Sequence, residues 1–154
     1  MANENWKMNV VKAIDEAYDG TGGIYLDRGT DLLAELRNLN GAQTSAVLPG
    51  PGTSVANQLR HLLTTVALHE AQFCGTPYPE LDWDADWQAT ALSDAEWQEL
   101  IEKYAATRAQ LKEWVTTPSV DEDNDYIYSA IMVATHLAYH VGQIRHAASY
   151  ATHQ

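Results

Sequence analysis

Apolar positions along the chain recur mostly at three and four residues, the spacing that lines one face of an α-helix. The alternation expected of a strand is almost nowhere present. Trp6, Val10, Ala13, Ile14 and Ala17 form the first stripe, and Gly20-Thr21-Gly22-Gly23 predicts its end. A second stretch, Tyr25 to Asn40, carries Leu32, Leu33, Leu36 and Leu39, with Asn40-Gly41 as a stop signal. It fits a continuation of the first helix after an interruption, or a separate short one. The loop Leu48-Pro49-Gly50-Pro51-Gly52 precedes Thr53 and Ser54. Either hydroxyl can accept from the free amides of a first helical turn. Val55 to Phe73 holds neither Pro nor Gly and predicts a long helix, ended by Gly75-Thr76-Pro77.

Tyr78 to Trp87, with Asp82, Trp83, Asp84 and Asp86, reads as an irregular aromatic and acidic connection. Ser93 and Glu96 have the spacing of a capping box. They open a helix from Asp94 to Val115 with Trp97, Leu100, Ile101, Tyr104, Arg108, Leu111 and Trp114 on its inner side. Thr116-Thr117-Pro118 breaks it, Asp121 to Asp125 forms an acidic loop, and the last helix runs from about Tyr126 to Tyr150. There is no internal repeat and no domain-splitting linker. The pattern predicts an all-α fold, a four-helix bundle, as a single domain over residues 1–154.

Composition narrows the function classes. With 154 residues, 45% of them apolar, the chain can bury a core. Nine basic residues against 21 acidic ones give a net charge of −12. That sign repels phosphate backbones and anionic lipid heads, so nucleic acid and membrane are poor partners. The one cysteine, Cys74, excludes an internal disulfide and any multi-cysteine metal site. No stretch approaches the ~18 apolar residues of a membrane span. Met1 to Asn9 includes Glu4 and lacks a signal-peptide layout. The expectation is a soluble cytoplasmic domain.

The chemistry concentrates in His136-Leu137-Ala138-Tyr139-His140. Two histidines four apart on a helix are offset by about 40° and lie one turn apart, so both rings can reach one metal ion. Leu137 stands where the zinc-protease motif has Glu, so that reaction has no support. His61 sits in the middle of the Val55–Phe73 helix among Leu59, Leu62, Leu63 and Val66. A polar ring in such a neighbourhood needs a partner. In a bundle it can face the His136/His140 stripe, giving three imidazoles with an open coordination position, the arrangement of catalytic metal sites. Gln143, seven residues after His136, falls near the same line and can hold a ligand, or be a plain surface residue.

The run His136 to Ile144 resembles the C-terminal signature of the DinB/YfiT-like family, and Ser54 to Leu62 resembles that family's second-helix segment. The Gly75-Thr76-Pro77 stop and the Trp-containing stretch before Ser93 are also similar. The likeness spans roughly the whole chain, with only the two histidine segments specific. It implies a four-helix bundle holding a divalent metal, zinc or nickel, through three histidines, which map to His61, His136 and His140. It also implies a homodimer, and activities such as hydrolysis or S-transfer dependent on a low-molecular-weight thiol. The departures from the family are the Gly20–Gly23 break and the acidity of Asp121–Asp125.

Other residues carry competing readings. His69, about 80° around the helix from His61, fits the surface or an interface better than the pocket rim. Glu70 is a candidate general base or a solvated carboxylate. His146 should face away from the site, and His153 lies in a tail. Asp121, Asp123 and Asp125 begin like a calcium loop, but Tyr126 and Met132 stand where Gly and Glu are needed. Asp82, Asp84 and Asp86 fail likewise at Trp87. Cys74, at a helix C-terminus that disfavours thiolate, reads as buried or semi-buried. Trp83 and Trp87 can serve binding. The first expectation is a metal-dependent enzyme acting on a small molecule, with Tyr139, Gln143 and Glu70 as candidates for substrate positioning or proton transfer. Its rivals are a non-catalytic dimeric metal- or ligand-binding bundle and, last, an acidic partner-binding module.

Overall fold

The computed structural model describes residues 5–20, 22–49, 52–88, 90–117 and 124–153. Among these the structure is all-helical: α1 (Asn5–Asp19), α2 (Leu32–Arg37), α3 (Gly41–Ser45), α4 (Val55–Cys74), α5 (Trp83–Trp87), α6 (Asp94–Thr116) and α7 (Asn124–Thr152). Helices α4 and α1 each pack against both α6 and α7. No described helix is long and apolar enough to cross a membrane.

The long elements follow from the apolar stripes. Val10, Ile14 and Ala17 of α1 are buried, with Trp6 and Ala13 packed at the margin. On α6, Trp97, Ile101, Tyr104 and Leu111 are buried. Arg108 reaches across to Asp15 and Asp19, at 2.7 Å each. Tyr18 of α1 stacks on Tyr104 at 4.7 Å and shares a 2.8 Å hydrogen bond with Thr107. Ser54 caps α4 and Ser93 caps α6, each with its reciprocal partner three residues on.

Of the two arrangements open for the Tyr25 to Asn40 stretch, a continuation of α1 or a separate short helix, the structure has the separate one, α2, shorter than the stretch. Helix α1 stops at Gly20, whose φ of +62° is left-handed; a Cβ there would lie 2.0 Å from the Thr30 carbonyl oxygen. The amides of Ile24, Tyr25 and Leu26 then all donate to Glu16 Oε1, at 2.6, 2.6 and 2.8 Å. Glu16 is fully buried on α1. Amides bound to that carboxylate are not available to prolong α1, and the chain is next helical at Leu32, where Asp31 supplies the cap. Asn40, expected as part of a stop, instead opens α3 through a capping box with Gln43.

The Tyr78–Trp87 connection contains one short helix, α5, because Asp82 accepts from the amides of Asp84 and Ala85. Cys74 is exposed rather than buried. It is the last residue of α4, where left-handed Gly75 turns the chain away from the packed helices. Asp125 lies in α7, whereas Asp121 and Asp123 fall outside the described residues.

Candidate metal centre

The three predicted histidines meet at the seam of α4 and α7, under α5. One ligand-capable atom from each of His61, His136 and His140 lies within 4.8 Å of the others. Ring centroids are 5.4 Å apart for His61 and His136, 4.8 Å for His61 and His140, and 4.4 Å for His136 and His140. His140 is buried, on the same stripe of α7 as Val133, Leu137 and Ile144 of the core, whereas His61 and His136 are half-buried.

Two residues that the sequence did not single out set the ring orientations. Gln58, one turn before His61 on α4 and itself buried, presents Oε1 to His140 Nδ1 at 2.5 Å. Its amide nitrogen donates to Thr53 Oγ1. His140 therefore carries its proton on Nδ1 and turns the lone pair of Nε2 toward His136 Nε2, 2.8 Å away. Asp86 of α5 does the corresponding work for His61. Its carboxylate is nearly inaccessible, accepts from Thr64 Oγ1 at 2.7 Å through Oδ1, and places Oδ2 3.4 Å from His61 Nδ1. Asn57 Nδ2 donates to the Asp86 carbonyl at 2.6 Å and ties α5 to α4. An oxygen behind a histidine, with the opposite nitrogen directed at a shared point, is the outer-shell arrangement of metal-binding imidazoles.

Burial decides the charge state. It lowers His136 to about 4, with the like charges of His61 and His69 adding to the effect. It lowers His140 to about 3, with His136 and His61 adding. Both rings are thus neutral, with lone pairs available, far below pH 7. The sign for stability follows. The unfolded chain binds protons near 6.5 that the folded metal-free chain refuses, so this stability is complete above pH 6.5 and is lost as pH falls toward the folded values. Urea unfolding of metal-free protein is expected to show stability falling as pH drops from 6.5 to 4.5, with a slope set by these two rings. The double variant His136→Leu/His140→Leu should flatten that slope; equal slopes would contradict the assignment.

Trp87 and Trp83 lie 4.7 and 5.7 Å from the His61 ring and cover the trio from α5. Tyr139 is largely exposed, its ring 4.9 Å from that of His140. With Gln143, Thr53, Gln58 and Trp87 it lines a cleft of about 420 Å³ that reaches His61 and His140. Glu70 is exposed. His69 is half-buried rather than a plain surface residue: its ring is 6.3 Å from that of His136, and it lines a second cleft beside the trio. Burial lowers its pKa, partly offset by its 3.1 Å contact with Gln72. His146 is exposed, as its spacing predicts.

Gln58 had a legible signal, since it precedes His61 by three residues and shares its face of α4. Asp86 had none, because its role depends on how α5 folds back. Asp86→Asn is expected to weaken zinc binding about 10–100-fold, read by competition with a chromogenic chelator, while circular dichroism stays native. Unchanged affinity would remove Asp86 from the site.

Compared with protein-family models, with curated proteins and with solved structures, the chain matched none.

Proposed function

We propose that this chain is a metal-dependent enzyme of DinB/YfiT-like type, its four long helices forming a four-helix bundle around a divalent cation, zinc or nickel. The ligands are His61, His136 and His140. The observation that carries the reading is the convergence of three imidazoles, two of them held from behind by Gln58 and Asp86. Neutral nitrogen donors suit zinc and nickel. His136 gives up its contact with His140 to present a lone pair to the same ion.

Such an ion supplies Lewis acidity, for hydrolysis or for lowering the pKa of a thiol in S-transfer. The chain's own residues do the rest. Gln143 and Thr53 offer hydrogen bonds to a small-molecule substrate in the 420 Å³ cleft. The Tyr139 hydroxyl stands at its mouth as a positioned proton donor, and Trp83 and Trp87 exclude water from one side of the trio. Exposed Glu70 is the weakest of the proton-transfer candidates. The same reading includes a cytoplasmic homodimer, a low-molecular-weight thiol as a candidate substrate, and no nucleic-acid or membrane partner.

One observation favours a non-catalytic metal- or ligand-binding bundle instead: among the described residues no carboxylate lines either cleft beside the trio. The two readings separate on cobalt substitution. An enzyme site has an exchangeable position, so imidazole or a thiol shifts the visible spectrum, whereas a closed structural site does not respond. The direct test is metal analysis of protein purified without a histidine tag, wild type beside His136→Ala. About one metal per chain in the first and a large loss in the second is expected. Near-zero metal in both ends the proposal.

A further inference from the structure

We propose that the second cleft beside the trio seats an uncharged aromatic or alkyl group of the substrate, with its reacting end at His61 and His136; this rests on the metal-site reading above. The cleft has a volume of about 430 Å³ and shares those two rings with the histidine cluster. Its walls are two helical stripes, Thr65, Leu68 and Gln72 from α4 and Tyr128 and Met132 from α7, with Trp83 of α5 beside them. Among the described residues no Asp, Glu, Lys or Arg lines it, and the remaining wall residue is His69. A charged substituent placed there would lose hydration with no opposite charge to meet it.

Exposure points the same way. Trp83, Tyr128 and Met132 are 41%, 62% and 40% exposed, leaving large apolar side chains at the rim of one concavity adjoining the candidate centre. An aromatic group stacked between them removes that surface from water. The volume suits a small molecule, since such sites span roughly 300–1,000 Å³. The other cleft presents more hydrogen-bonding groups, from Thr53, Gln58 and Gln143, beside Leu48 and Trp87. The two clefts meet at His61, and the second is the more apolar of the two. The substrate is therefore amphipathic, with its uncharged apolar end directed between α4 and α7.

The test compares two metal-binding probes that differ only in a phenyl group. Acetohydroxamate and phenylacetohydroxamate are titrated calorimetrically into zinc-loaded full-length protein. The phenyl compound is expected to bind at least tenfold more tightly. Met132→Glu, at a position exposed enough to accept the charge, is expected to bring the two within threefold with zinc content unchanged. Equal affinities in wild type, or a preference that survives Met132→Glu, overturns the proposal. Should the protein take up no zinc, the metal centre fails separately, and the cleft is decided by benzyl alcohol titrated into metal-free protein with labelled methionine methyls. A saturable shift at Met132 and none at Met8 upholds the apolar seat. No shift, or equal shifts at both, removes it.

Discussion

His140→Leu is expected to lower zinc affinity by about a thousandfold or more while leaving the metal-free protein folded. The first part follows from the donor set: a structural-strength zinc site binds with roughly 10–16 kcal/mol, and losing one of three protein ligands forfeits a large share. The second follows from where the ring sits. His140 continues the apolar stripe of Leu137 and Ile144, is 4% exposed, and is neutral at pH 7. Leucine fits that environment, and the main loss is the Gln58 partner, a cost of about 1–3 kcal/mol offset by added apolar burial. The readout is thermal unfolding with and without zinc. At a zinc concentration near a thousand times Kd, wild type should gain about 4 kcal/mol, a rise of roughly 8–16 °C for a chain of this size. His140→Leu should rise by no more than about 2 °C. A zinc-dependent rise of the same size in the variant would place the ion elsewhere.

Glu16→Ala is expected to be strongly destabilising. One carboxylate oxygen accepts three consecutive backbone amides from Ile24, Tyr25 and Leu26. Its other oxygen has no hydrogen-bond partner among the described residues. Truncation leaves those amides without their acceptor, one at a buried and two at part-buried positions, and hydrogen bonds to charged groups are worth about 1.5–3 kcal/mol each before relaxation and water entry. A loss of about 3–4 kcal/mol, or roughly 6–16 °C in Tm, is expected. Glu16→Gln keeps a carbonyl acceptor and should recover about half. A Glu16→Ala protein melting within 2 °C of wild type would show that the 22–26 loop is held by something else.

Glu16 also marks where sequence reading stops. Spacing and caps located α1, α4, α6 and α7 to within about two residues, because each carries a periodic apolar face and a local end signal: Gly20, Ser54 and Gly75, Ser93. Residues 25–40 carried leucines at helical spacing, yet α2 spans only Leu32–Arg37, and docking of Ile24 to Leu26 on the Glu16 carboxylate competes with helix ahead of it. That competition is tertiary, and no local pattern encodes it. The same division holds at the candidate centre. His136 and His140 were legible as a pair because four residues make one helical turn, and His61 because a polar ring among leucines needs a partner. Which rings meet depends on the α4–α7 seam, and the structure brings all three within 4.8 Å. Asp86 and His69 were misjudged for one reason: α5 folds back over the trio and creates a pocket wall, so a residue well off the His61 line still faces a cleft.

The most direct measurement is X-ray absorption at the zinc edge of protein reconstituted without a histidine tag. The account predicts three imidazole nitrogens at about 2.0 Å and a light non-protein atom completing the shell. A spectrum with one or two imidazoles, a sulfur neighbour, or no retained zinc to measure would contradict it.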